Sequence, residues 1–282
     1  MFRSAFIAAL ICIGPFSYAQ DVLGDWPLEN NPNLANSIQN VSHSAEVILS
    51  RKQYVLSYNK ERRTPNWVAW KLEKNDMGSV PRQKYFSTDS VLDQYLQENG
   101  PERAVGAYDY KGSCFDRGHQ VPSADRDATV EDNKATFLMS NVTPQTAFIN
   151  REVWANLEQY TRNQVIAGKI AYVISGPLYD EDFGKIGPAQ DIAVPSKSFK
   201  VIVFLNPEQS LKDINPETDV IAVEVPNITS KGTKPLEDNE TLCSDFQVKS
   251  QNVTLTGYTA WKKYQSSLAK IEQLSGFKFF SF

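Results

Sequence analysis

The chain has 282 residues, 41% hydrophobic and 11% aromatic, which suffices for one large domain or two small ones and excludes global disorder. Its formal charge is −4, from 29 Lys and Arg against 33 Asp and Glu, so it is no bulk polycation. A nucleic-acid partner therefore requires a local basic groove within an acidic shell.

Residues 1–19 read as a secretory signal. Arg3 gives a positive start, Ala5 to Gly14 form an apolar core, and Ser17-Tyr18-Ala19 supplies small residues for cleavage. That apolar run is too short to span a bilayer as a mature helix. Ile11 before Cys12 is bulky where lipoprotein processing requires a small residue, so the expectation is an exported protein, periplasmic or secreted, with no membrane partner. Cleavage leaves Cys114 and Cys243, and an even count in an oxidising compartment favours one disulfide over two buried thiols. Two cysteines and two scattered histidines show no zinc-ligand spacing.

Residues 20–45 are polar and turn-rich and read as a flexible N-terminal arm carrying His43. A single domain is expected over residues 46–282. Tyr54 to Tyr58 and Trp67 to Leu72 pattern as two strands joined by the basic turn Asn59 to Asn66. Asp116-Arg117-Gly118-His119 then places an acid, a fixed cation and a base within four residues. Gly118 reads as permitting a turn that a Cβ would resist. Taken alone, the tetrapeptide fits a salt-bridged surface turn as well as a site.

A helix is expected from about Asn150 to Ala167. At about 100° per residue, Ile149, Val153, Leu157 and Tyr160 share an apolar sector, while Asn150, Trp154, Glu158 and Arg162 form a stripe along its border. Glu158 and Arg162 stand four apart, as a helical salt bridge requires, but a salt bridge leaves Asn150 without a role. The tryptophans at 67, 70 and 154 fit the core better than base stacking. Ile170 to Ser175, Lys200 to Leu205 and Asp219 to Val225 are further strands, and a second helix is expected from Tyr258 to Leu274, ending at Gly276. The order of elements implies an α+β fold with a central, largely antiparallel sheet and flanking helices.

Several spaced motifs make the reading specific. Asp116-Arg117-Gly118-His119, Asn141-Val142-Thr143-Pro144-Gln145, and Asn150-Arg151-x-x-Trp154-x-x-x-Glu158-x-x-x-Arg162 resemble the DNA/RNA non-specific endonucleases with a ββα-metal (His-Me finger) site. The resemblance extends upstream through Thr64 to Trp70 and downstream through Ile271 to Phe280. It implies that His119 is the general base and that Asn150 is the one direct protein ligand of Mg2+, for which Mn2+ can substitute. Glu158 would hold a metal-bound water, and Arg117 and Arg162 would bind phosphate. Asn141 would support the site, Asp116 would organise it, and Arg82 would be a further arginine near the cleaved phosphate, with Arg103 as the alternative. It also implies DNA and RNA substrates, single- or double-stranded, and products with 5′-phosphate ends, and it allows a homodimer. A small-nucleotide phosphodiesterase, or a non-catalytic nucleic-acid-binding protein on the same fold, remains open at this point. So does the effect of Cys114, which departs from the family pattern just before the motif.

Overall fold

Alternation with period two builds the centre of the molecule. Over Lys197–Leu205, Phe199, Val201 and Val203 pack on one face of a sheet, and Ile202 and Phe204 pack on the other, with Lys200 on their side. Both faces are covered, so the strands read as nearly continuous apolar runs. The computed structural model describes residues 21–28, 31–34, 38–39, 46–248 and 260–280. The expected signal segment and His43 lie outside them.

In chain order the strands are β1 (Asp21–Gly24), β2 (Ile38–Gln39), β3 (Glu46–Ser50), β4 (Val55–Asn59), β5 (Thr64–Leu72), β6 (Asp116–His119), β7 (Val142–Gln145), β8 (Ile170–Leu178), β9 (Lys185–Ile186), β10 (Ile192–Ala193), β11 (Lys197–Leu205), β12 (Val220–Pro226) and β13 (Lys278–Phe279). The helices are α1 (Ser90–Asn99), α2 (Val130–Thr136), α3 (Ala155–Ile166), α4 (Asn239–Gln247) and α5 (Leu268–Ser275). Seven strands form one sheet in the order β1-β3-β4-β5-β8-β11-β12. Every neighbouring pair in it is antiparallel except β1 with β3. The expected α+β class, with a central antiparallel sheet, is the fold observed. None of the described helices is long and apolar enough to cross a membrane.

One face of the sheet packs Leu49, Trp70 and Ile202 against Val153, Leu157 and Trp261. The opposite face packs Trp67, Phe199 and Val201 under Ile271 and Phe279. The antiparallel hairpin β6–β7 is separate from the main sheet, rests on a third cluster that includes Phe115, Met139 and Leu242, and leads into α3. Two strands followed by a helix thus carry the motif residues.

Four local expectations are corrected. Residues 21–24, assigned to a flexible arm, form the edge strand β1, and Asn31 and Asn33 beyond it are buried, with Asn31 Nδ2 donating to Ser50 Oγ at 3.0 Å. The helix expected to begin at Asn150 opens with a π-helical turn, Ile149–Trp154, before α3. The helix expected over Tyr258 to Leu274 is a 3-10 turn at Ala260–Tyr264 followed by α5, because the Ser267 hydroxyl accepts the Lys270 N–H and starts a new helix there. Its end at Gly276, with φ 77°, is as expected. Finally, Asp116–His119 is strand rather than turn. A Cβ on Gly118 would lie 2.2 Å from Gln145 Oε1, so glycine is required for close approach across the hairpin.

Candidate active site

Arg117 and His119 are two residues apart on β6 and so share one side of it. The Phe86 ring joins them, its centroid 4.9 Å from that of His119 and 5.5 Å from the Arg117 Cζ. Phe137 closes the imidazole from another direction, edge-on at 4.8 Å. His119 is 7% exposed, and its Nε2 is buried without a protein partner. Burial, and then the positive charge of Arg82, lower its pKa to about 3, so the ring is neutral at neutral pH. The Arg117 NH2 donates to the Ala107 carbonyl at 2.8 Å, and its Nε is buried without a partner.

Asp116 works across the hairpin's other side. Its Oδ2 accepts from Asn150 Nδ2 and from Arg151 Nε, each at 2.8 Å, and its Oδ1 accepts from Arg151 NH2 at 2.6 Å. A carboxylate only accepts hydrogen bonds, so the Asn150 amide must present its NH2 to Asp116 and keep Oδ1 free of it. The π-helical turn widens the backbone where Asn150 and Arg151 leave it, a distortion that recurs at functional sites.

Glu158 lies farther along, on α3, against the buried ammonium of Lys200 at 3.8 Å. Burial raises its pKa, while Lys200, Arg162 and Arg82 work against the rise. Because the charge of Arg82 acts on both His119 and Glu158, these three groups lie within electrostatic reach of one another. Arg82 itself is exposed and stacks over Phe137 at 4.9 Å. Arg103, the alternative to Arg82, forms a bidentate pair with Asp109 at 2.6 and 2.7 Å and has no contact with these groups.

Two expected placements differ in detail. Arg162 does not bridge to Glu158; its NH1 donates to Asp125 Oδ1 at 3.0 Å and its NH2 to Gln159 at 3.1 Å. Asn141 is fully buried, and its side chain hydrogen-bonds to backbone groups rather than to the other candidate site residues. Its Oδ1 accepts the Val121 N–H and its Nδ2 donates to the carbonyls of Val121 and Thr136, clamping the chain just past His119.

Sequence reasoning missed Lys200 and Asp125, and gave Arg151 no role although it stands in the motif beside Asn150. Lys200, 1% exposed, lies 4.3 Å from the Trp154 ring centroid and 5.5 Å from that of Trp70. A lone lysine inside the apolar run Phe199 to Leu205 was the available signal. Asp125 joins Arg162 to the Trp70 indole N–H at 3.1 Å. A groove of about 520 Å3 adjoins the site and shares Phe137 with it, whereas a cavity of about 500 Å3 beside Tyr179 and Phe277 contains none of the candidate site residues.

Known proteins resemble the chain along most of its length. Residues 31–281 match the DNA/RNA non-specific endonuclease family. A nuclease of Nostoc sp. is 37% identical over 235 residues, covering 83% of this chain and 73% of the relative. The human mitochondrial endonuclease G is 35% identical over 167 residues, and the match spans 55% of this chain and 54% of the relative. Among solved structures, the complex of EndoG with EndoGI aligns at a TM-score of 0.59 with 26% identity, covering 88% of this chain and 87% of that one. The chain belongs to the DNA/RNA non-specific endonuclease family and is accordingly an endonuclease.

Proposed function

We propose that the protein is an exported, Mg2+-dependent endonuclease that hydrolyses phosphodiester bonds of DNA and RNA without sequence preference, leaving 5′-phosphate ends. The observation that carries this reading is His119, a buried and neutral imidazole whose Nε2 has no protein partner, on the same strand as the carboxylate that orients Asn150. Such an imidazole is poised to take a proton from a water attacking phosphorus. Arg117 and Arg82 stand beside it with the charge that an anionic phosphodiester requires. Arg162, committed to Asp125 and Gln159, acts mainly by holding the surroundings of Glu158 in place.

The residues present fit a magnesium ion. Among the described residues no three His, Cys, Asp or Glu side chains cluster as ligands, so the donor on offer is Asn150 Oδ1, left free by the bond from Nδ2 to Asp116. Magnesium keeps several waters and takes few protein ligands, and Glu158 suits the role of accepting from one of those waters. When bound, the ion supplies positive charge to the phosphate and to the departing oxygen. Because contacts to phosphate carry no sequence information, a site built on arginines and a metal favours non-specific cleavage.

Plasmid nicking with and without EDTA tests the reading. Mg2+-dependent conversion of supercoiled to open circles and then to fragments is expected. A phosphodiesterase for small nucleotides makes no internal cuts, and a non-catalytic binder leaves the plasmid intact. The export signal is tested by the N-terminus of protein recovered outside the cytoplasm, expected near residue 20, and a homodimer by sedimentation.

A further inference from the structure

Tyr85 and Tyr108 are 82% and 70% exposed, the two most exposed large apolar side chains among the described residues. Both stand beside the site. Tyr85 precedes Phe86, the ring that packs on His119 and Arg117, and Tyr108 follows Ala107, whose carbonyl accepts from Arg117. Tyr54, Tyr58 and Tyr110, by contrast, are buried. A tyrosine ring left in water forgoes a large apolar burial, and two such rings at one site mark a surface that something covers.

The neighbouring charges identify the chemistry of what covers it. Residues 77–88 contain Arg82 and Lys84 and no acid. Lys111 lies 5.0 Å from the Tyr108 ring centroid. Aromatic rings interleaved with cations at the surface suit a single nucleic-acid strand, whose bases stack on the rings while its phosphates meet the cations. Tyr85 also lines the groove of about 520 Å3 that shares Phe137 with the site. Away from Tyr85 that groove carries both signs of charge, Arg51 and Lys134 with Asp25 and Glu131. Mixed charge suits a neutral base better than a run of phosphates.

We propose that Tyr85 and Tyr108 are stacking platforms for bases flanking the cleaved phosphate, so that unpaired strands bind more tightly than duplex. A base held in a duplex is already stacked on its neighbours and must be unstacked to reach either ring. The inference rests on the nuclease reading for the identity of the ligand, but its test does not require turnover. Binding is measured in EDTA with a single-stranded oligonucleotide carrying 2-aminopurine, whose fluorescence is quenched on stacking. Wild type is expected to quench it, and to bind the same oligonucleotide at least tenfold more tightly than its duplex. Tyr85→Ala and Tyr108→Ala are each expected to weaken single-strand binding by about 5- to 150-fold and to lose part of the quenching. Tyr→Phe at either position should preserve both, and abasic sites at the probe positions should erase the difference between wild type and the Ala variants. Unchanged affinity in both Ala variants, or equal binding of single strand and duplex, overturns the inference. Adding Mg2+ to the same complexes then tests the nuclease separately: tight stacking without cleavage sinks the catalytic reading and leaves the platforms standing.

Discussion

Burial of His119 sets both what the ring can do and what limits the site in acid. With its pKa lowered to about 3, the ring remains a base far below neutrality. Glu158 responds differently, because burial raises its pKa above the usual carboxylate value, so on acidification it is neutralised before His119 is. In its proposed role of accepting from a metal-bound water Glu158 must be ionised, so activity should be full above its raised pKa and fall as pH drops through it. The acid limb of kcat/KM should therefore belong to Glu158, move to higher pH as Mg2+ is lowered because the ion's charge opposes the rise, and disappear in Glu158→Gln, leaving a lower but flat profile. A limb that persists unchanged in that variant would show that another group sets it. His119→Ala should lose about 10²- to 10⁴-fold in turnover while remaining folded, since Nε2 forms no hydrogen bond to the protein and the cost to stability is that of the cavity left between Phe86 and Phe137. Retention of more than about a tenth of wild-type turnover contradicts a general-base role at typical magnitudes.

At the scale of elements, the apolar periodicity made the central strands and the helix after Asn150 legible, because both depend on local alternation. β5, β8, β11 and β12 fall where Trp67 to Leu72 and the three later apolar runs place them. The hairpin β6–β7 was not legible, since its four pairs join residues 23 to 29 apart and neither strand carries a clear alternation. The short helices α1, α2 and α4 depend on single caps, Asp89, Thr129 and Asp238, which resemble ordinary loop residues in sequence. The motif residues were legible by spacing, but Arg151 was not distinguished from any exposed helical arginine. Its partner lies 35 positions away, and its consequence is testable. Asp116 fixes the Asn150 amide and Arg151 fixes Asp116, so the three act as a unit. Asn150→Ala should abolish metal-dependent cleavage. Asp116→Asn and Arg151→Met should retain turnover at high Mg2+ but weaken metal affinity by about 10- to 100-fold, the usual effect of removing a group that orients a ligand. Mn2+ titration followed by electron paramagnetic resonance reads this without any substrate, and equal metal affinity in all three variants rejects Asn150 as the ligand.

At the scale of the whole molecule, the Cys114–Cys243 disulfide joins the segment leading into β6 to helix α4, 129 residues later. The pairing expected from an even cysteine count is the one present. Cys114 is in the left-handed region at φ 60°, a conformation that costs a non-glycine residue on the order of 1 kcal/mol and persists because the bridge and the hairpin hold it. A second tie runs in parallel. The Arg151 guanidinium lies 5.6 Å from the Phe246 ring centroid and donates to the carbonyls of Phe246 and Val248, at the end of the same helix. Through Arg151 the bridge therefore bears on Asp116 and Asn150 as well as on stability. Closing so long a loop is worth about 2–5 kcal/mol, chiefly through the unfolded chain, and for a domain of this size that corresponds to a Tm lower by roughly 5–15 °C in Cys243→Ser or under reductant. If the bridge only restrained the unfolded chain, metal affinity at 25 °C would not change. Because α4 anchors Arg151, reduction should also raise the Mg2+ requirement, and Arg151→Met should remove that sensitivity while leaving the Tm shift in place. Mass spectrometry of a non-reduced tryptic digest establishes the bridge itself, and two unlinked thiol peptides from freshly isolated protein would refute both effects together.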